Sequence, residues 1–291
     1  MSVKHPIIAI TGSSGAGTTS VKKTFEQIFR REKINADYIE GDAFHRWNRT
    51  EMREKMRQAA SRGDNHYSHF GPDANLFEEL DRTFADYSRQ GTGLTRTYIH
   101  DAVEGEQHGA APGTFTAWRQ LAADSDLLFY EGLHGCVQAG NVDLAKHVDL
   151  KIGVVPVINL EWIQKLHRDK ASRGYSTEAV TDTILRRMPD YINYICPQFT
   201  KTDINFQRVP TVDTSNPFIA RWIPTPDESI VVIRFRDPHG IDFPYLLSMM
   251  QGAFMSRANS IVIPGGKMEL AMQLILTPMI LKLIERRRRA L

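Results

Sequence analysis

Short β-branched or aromatic runs alternate along the chain with stretches of helical spacing. Residues 7–11 form an apolar run that stops at a glycine-rich turn, and residues 18–32 then set Val21, Phe25, Ile28 and Phe29 on one helical face. The opening reads as strand, loop, helix. Residues 36–40 predict a second short strand, and the polar, arginine-rich 46–62 predicts a solvent-facing helix before a loop rich in His, Gly and Asn. Residues 75–90 predict an amphipathic helix with Leu76, Phe77, Leu80 and Phe84 on one side. Residues 94–99 and 113–118 predict a strand pair, and residues 127–130 and 150–155 predict buried strands. From 158 to 194 the pattern is helical and heavily charged, with breaks at Gly174 and Pro189. The last third predicts strands at 204–209, 230–235 and 260–263 and a closing helix from 268 to about 289. Strands alternating with helices favour a parallel sheet covered on both faces.

Composition narrows the class without naming a chemistry. At 291 residues, with 42% hydrophobic and 24% charged, the chain has ordinary globular usage. A net charge of +2, from 36 basic and 34 acidic residues, gives no whole-molecule field toward nucleic acid or anionic lipid, so any anion site is local. The basic run at 286–289 ends the last helix, where cations complement the helix dipole, and it lacks the interleaved aromatics of a nucleic-acid surface. Neither nucleic acid nor membrane is expected as a partner. Cys136 and Cys196 are too few for a disulfide framework and read as buried structural thiols, which suits a reducing compartment. The apolar run near the N-terminus is too short for a secretory or membrane segment, so cytoplasmic residence is expected.

The chemistry begins at Gly12, Ser13, Ser14, Gly15, Ala16, Gly17, Thr18, Thr19 and Ser20, which follow a strand and open a helix. Such a turn can point consecutive backbone N–H groups at a β-phosphate, with the helix N-terminus adding positive potential and Thr19 placed to ligate Mg²⁺. One departure stands out: the usual lysine position holds Thr18, so a cation must arrive from elsewhere. An ordinary strand-to-helix turn is the competing reading. A dinucleotide loop of the short-chain dehydrogenase kind is disfavoured by its misplaced third glycine and by the absence of Tyr-x-x-x-Lys. The Thr-Lys-Thr-Asp run at 200–203 follows no buried strand and reads as a chance match to a guanine-specificity motif.

Asp42, His45 and Arg49 follow the second predicted strand, at the sheet edge where open α/β folds collect ligands. Asp42 can accept a proton from an attacking hydroxyl, and His45 and Arg49 can hold a phosphorylated acceptor. Taken alone, Asp42 equally fits a helix cap. Glu131 ends a strand where a second Mg²⁺-associated acid belongs, or caps the next helix.

Five segments carry a resemblance: Gly41-Asp-Ala-Phe-His-Arg46, His69-Phe-Gly-Pro-Asp-Ala-Asn-Leu-Phe77, Glu131-Gly-Leu-His-Gly135, Arg168-Asp-Lys-Ala-Ser-Arg-Gly-Tyr-Ser176, and Arg187-Met-Pro-Asp-Tyr191 with Tyr194-Ile-Cys-Pro-Gln198. Together they resemble phosphoribulokinase in its bacterial form, over most of the chain. The resemblance implies an α/β fold with a P-loop nucleoside-triphosphate-hydrolase-like core, its mixed, mainly parallel sheet covered by helices, plus a C-terminal mixed α/β extension. Residues 1–200 would be the kinase core including a helical lid at about 158–195. Residues 201–291 would pack on it across a soft boundary that also allows a single domain.

It implies transfer of the ATP γ-phosphoryl to the C1 hydroxyl of ribulose 5-phosphate, giving the 1,5-bisphosphate in the reductive pentose phosphate (Calvin) cycle. Asp42 would be the base, with His45, Arg49 and Arg173 near the sugar phosphate. Glu131, with Thr19 and Asp42, would serve Mg²⁺. Lys165, Arg168 and Asp169 would act from the lid, although their spacing alone fits a solvated helix face. The resemblance further implies a homo-oligomer, with an octamer as the form it points to, activated by NADH and restrained by AMP. Arg31, Arg186, Arg187, Arg234 and Arg257 are the candidate effector contacts. Two other readings stay open: a related small-molecule kinase of uridine or pantothenate type, and a non-catalytic nucleotide-binding regulator.

Overall fold

The computed structural model describes residues 3–12 and 18–291; the turn at 13–17 lies outside the described residues, as do the side chains of 18–20 and 172–173. In chain order the elements are Ile7–Gly12 (β1), Thr18–Glu32 (α1), Ala36–Glu40 (β2), Arg49–Ser61 (α2), Phe77–Gln90 (α3), Leu94–Thr95 (β3), Ala102–His108 (α4) and Arg119–Gln120 (β4). There follow Leu127–Gly132 (β5), Gln138–Ala139 (β6), Val142–Asp143 (β7), Leu150–Val155 (β8), Ile158–Arg173 (α5) and Thr177–Asp190 (α6). The chain closes with Ile204–Pro210 (β9), Ser229–Phe235 (β10), Phe243–Met249 (α7), Phe254–Arg257 (β11), Ser260–Pro264 (β12) and Met268–Ala290 (α8). Eight strands make one sheet in the order β11-β12-β10-β9-β8-β1-β5-β2. Pairs from β2 to β9 are parallel, and those from β9 to β11 are antiparallel. This is the mixed, mainly parallel α/β architecture that the resemblance implies, with the antiparallel strands added to the parallel sheet that the strand and helix rhythm predicts.

Alternation within the strands builds two cores. Ile8 and Ile10 of β1 and Leu127 and Phe129 of β5 face α1 and α8, joining Phe25, Ile28 and Ile275. Ile7, Ala9, Leu128 and Tyr130 face the other way, toward Leu80 and Phe84 of α3. Strands buried on both faces need continuous apolar runs, which is how β1 and β5 read in the sequence. Each fully buried Ile or Phe contributes about 1.5–3 kcal/mol. In the antiparallel half β9 and β10 bury one side only: Ile204, Phe206, Val231 and Ile233 enter the first core. Their neighbours Asn205, Gln207, Val232 and Arg234 line a cavity of about 580 Å³ on the opposite face, closed by Ser256 and Arg257 of β11.

Several local expectations need correction. No helix break occurs at Pro189: α6 runs through it to Asp190 and passes into a wider π turn at Tyr191–Ile195. A proline so close to the helix end removes one i−4 bond where the ladder is already changing register. Gly174 does end α5, at φ 66°, a left-handed cap that suits glycine. The pairing of 94–99 with 113–118 is interrupted. A two-residue ladder joins β3 to β4, a single bridge joins Tyr98 to Phe115, and α4 lies between them, capped by the Asp101 side chain. Cys136 is buried, whereas Cys196 is exposed, because the turn after α6 aims it outward. Among the described residues no helix is long and apolar enough to cross a membrane.

Candidate active site

Three adjacent parallel strands bring the predicted nucleotide and acceptor residues to one edge. In register, Ile10 of β1 and Glu40 of β2 both flank Glu131 of β5, and Thr11 lies opposite Gly132. Glu131 therefore lies one residue before the end of its strand, level with Ile10, and Asp42 stands two residues past the end of β2. The loops beyond β2 and β5 touch through glycines. A Cβ on Gly132 would lie 2.8 Å from the Gly41 Cα, and one on Gly41 would lie 2.6 Å from the Tyr130 hydroxyl. Gln198 fastens the same edge from below. Its Oε1 accepts from the Cys136 N–H at 2.9 Å and the Thr11 hydroxyl at 3.0 Å, and its Nε2 donates to the Leu133 and Tyr194 carbonyls.

Asp42 does not cap a helix through its side chain; its Oδ1 lies 3.1 Å from His45 Nε2. The tautomer at His45 follows from Asn75, whose Nδ2 donates to the carbonyls of His69 (2.8 Å) and Gly71 (2.7 Å). The Asn75 Oδ1 is thereby left as acceptor, so His45 Nδ1, at 2.9 Å, carries a proton. A second proton on Nε2 makes the ring an imidazolium paired with the Asp42 carboxylate. Burial favours the neutral form of each, but the opposite charges outweigh it. His45 is raised above the usual imidazole range by Asp42 and Asn75, and Asp42 is held well below the usual carboxylate range by His45, then His100 and His69. His100 completes the rim, with Nε2 3.8 Å from Asp42 Oδ2.

This pairing fixes the sign of a pH effect. Replacing His45 by Asn removes the largest force depressing Asp42, and burial then pushes the carboxyl upward. The acid limb of the kcat/KM profile is expected to move to higher pH in His45→Asn than in the wild type, because Asp42 is protonated sooner as pH falls. Superimposable acid limbs, measured with saturating ATP, would argue against the pair.

Arg96 shapes this pocket from behind. Its guanidinium lies over the Phe115 ring at 3.6 Å and the Trp118 ring at 4.6 Å, donates to the Ala43 and His45 carbonyls, and is lowered to about 10 by burial. Arg49, the first residue of α2, is placed by the Asn48 capping box and donates from Nη2 to the His100 carbonyl at 2.9 Å. Asp42 and His45 are thus paired, with Arg49 linked to them through His100, and His69, Asn75 and Arg96, to which the sequence gives no role, surround them.

Helix α5 carries the charged group that the resemblance places in a lid. Lys165 is 8% exposed, and its Nζ lies 2.5 Å from Oδ2 of the buried Asp169, with Arg168 Nε 3.2 Å from Oδ1. Burial and Arg187 lower Lys165 to about 8 despite Asp169. Charges on Arg187 and Lys165 are felt at His69. Arg187 lies over the Phe70 ring at 5.0 Å. The α5 backbone reaches Arg173, whose side chain lies outside the described residues, as do Ser13, Ser14, Gly15, Ala16 and Gly17 and the side chains of Thr18, Thr19 and Ser20.

The candidate effector arginines fall in separate places. Arg31 donates to Thr277 of α8 at 2.9 Å, and Arg186 and Arg187 lie on α6. Arg234 and Arg257 line the cavity beside β9 and β10.

Comparisons with known proteins agree with this geometry. Residues 7–215 match the model of the phosphoribulokinase / uridine kinase family. The chain is similar to a phosphoribulokinase of Nitrobacter vulgaris, 72% identical over 99% of each chain, and to one of Xanthobacter flavus, 69% identical over 100% of each. It also resembles the solved structure of a phosphoribulokinase from Rhodobacter spheroides, at TM-score 0.91 and 62% identity, covering 99% of this chain and 100% of that one.

Proposed function

The chain belongs to the phosphoribulokinase / uridine kinase family, and from that premise we propose that it transfers the γ-phosphoryl of ATP to the C1 hydroxyl of ribulose 5-phosphate. The products are ribulose 1,5-bisphosphate and ADP, the step that phosphoribulokinases contribute to the Calvin cycle. One observation carries this reading: the Asp42 carboxylate is paired with His45, with His100 at its rim and Arg49 bonded to the His100 carbonyl. Such an acceptor pocket is charged for a phosphorylated sugar, which neither uridine nor pantothenate is.

In the reaction, Asp42 takes the proton of the attacking hydroxyl. Its imidazolium partner restrains it until the acceptor's anion draws on that charge, whereupon burial pushes the carboxyl's proton affinity upward. Lys165 and Arg168 stabilise charge on the phosphoryl group in flight, in the role the turn lysine would otherwise fill, and Asp169 orients Lys165. Arg49 and Arg173 hold the sugar phosphate.

Mg²⁺ fits the donor set. Among the described residues no cluster of three acids, histidines or cysteines closes a metal site, but Glu131 and Asp42 offer hard oxygens at one strand edge. Glu131, Asp42 and Thr19 would hold the ion together with nucleotide oxygens. When bound it neutralises phosphate charge. As to regulation, we assign NADH as activator and AMP as inhibitor of a homo-oligomer. The support is chemical: two guanidiniums with amide and hydroxyl groups around one cavity suit a dinucleotide's phosphates.

The deciding assay is ADP release with ATP and each acceptor in turn. Release is expected with ribulose 5-phosphate and not with uridine, pantothenate or ATP alone. Preference for uridine or pantothenate would give the chain to a sister activity, and ATP binding without acceptor-dependent release would make it a regulator.

A further inference from the structure

The segment following α2 is fastened on both sides of His69. Ser68 Oγ donates to Asp190 Oδ2 of α6 at 2.7 Å, and His134 Nε2 meets the Phe70 carbonyl at 3.0 Å. Asn75 Nδ2 bonds the carbonyls of both His69 and Gly71. Each neighbour's polar group has a partner inside the protein. His69 Nδ1 does not: it is buried and has no hydrogen-bond partner. Buried polar atoms in native proteins are almost always paired, and an orphan held by so well-anchored a backbone marks a place completed by something else.

The surroundings say what that is. The His69 ring tilts over His45 with centroids 4.8 Å apart, and the charges of Arg187, Asp42 and Lys165 all act on it. It therefore lies beside the imidazole that pairs with Asp42, next to the pocket proposed for the acceptor. Burial first, then the charges of His45 and Arg187, hold the ring neutral. A neutral nitrogen among cations is a poor rival for phosphate, which Arg49, Lys165 and Arg168 bind better, but it matches a sugar hydroxyl.

We propose that Nδ1 of His69 hydrogen-bonds a secondary hydroxyl, at C3 or C4, of the pentulose phosphate and so reads the acceptor's hydroxyl pattern. This inference rests on the acceptor proposed above. A site built to bond a hydroxyl discriminates strongly against an analogue lacking it, because its own polar atom is then left unpaired.

The test compares wild type, His69→Asn, His69→Gln and His69→Leu on ribulose 5-phosphate and its 3-deoxy and 4-deoxy analogues. Asn carries an amide close to where Nδ1 stands, whereas Gln reaches the position of Nε2. Asn is expected to keep kcat/KM within about threefold, while Gln and Leu lose about 10- to 100-fold, with KM for ATP unchanged. With one deoxy analogue the Leu penalty disappears, and that analogue names the hydroxyl. Equal values for Asn and Gln, or the same Leu penalty on all three acceptors, overturn the assignment even if Leu alone misfolds. A wild type inactive on ribulose 5-phosphate overturns the acceptor reading as well, whereas an active wild type with a flat analogue pattern removes only the role of His69.

Discussion

Replacing Asp42 by Asn is expected to lower kcat by roughly 10²–10⁴-fold while KM for ATP stays within about twofold. The amide keeps the shape of the carboxylate but cannot take the hydroxyl proton. A second effect accompanies the first, because the imidazolium at His45 loses the charge that sustains it. The two separate by parameter. Loss of the pair acts on KM for the sugar phosphate, since His45 becomes a weaker anion contact; loss of the base acts in the transition state and so on kcat. Near-normal turnover in steady-state assays of this variant would remove Asp42 as the base, whatever happened to KM.

Lys165→Met is expected to reduce kcat by roughly 10³-fold, the scale at which a cation meets a transferring phosphoryl group. Its environment adds a sharper signature. Because the side chain is lowered to about 8, it carries its charge below that pH and sheds it above. If that charge stabilises the transition state, kcat declines as pH rises through about 8. Lys165→Arg keeps a cation at all working pH values, so the alkaline limb recedes upward even if the planar guanidinium fits the site less well than the ammonium. An alkaline profile identical in wild type and Lys165→Arg would mean that another group titrates there.

Local pattern carried the fold far. The runs that became β1, β5 and β8 are buried on both faces, so each strand is largely apolar and stands out. Weak segments went unread where tertiary contacts decide them. β11 alternates with exposed residues at a sheet edge, and α4 buries no residue. At the site, Asp42, His45 and Arg49 were legible because they follow a strand within a few positions. His100 reaches Asp42 across 58 residues of chain, and Arg96 enters the pocket only because Phe115 and Trp118 stack on it. Neither leaves a periodic trace. His69 and Asn75 sit in a segment that carried the family resemblance, but only the hydrogen-bond pattern gives them separate tasks.

The abutting glycines at 41 and 132 have a mechanical meaning. With main chain resting on main chain, the nucleotide half and the sugar half of the cleft are joined by a contact that has no rotamers to vary. The separation between donor and acceptor is then inherited from strand spacing, a stiff quantity near 4.8 Å per strand. If α5 closes as the proposed lid, its cations can move inward without loosening that separation.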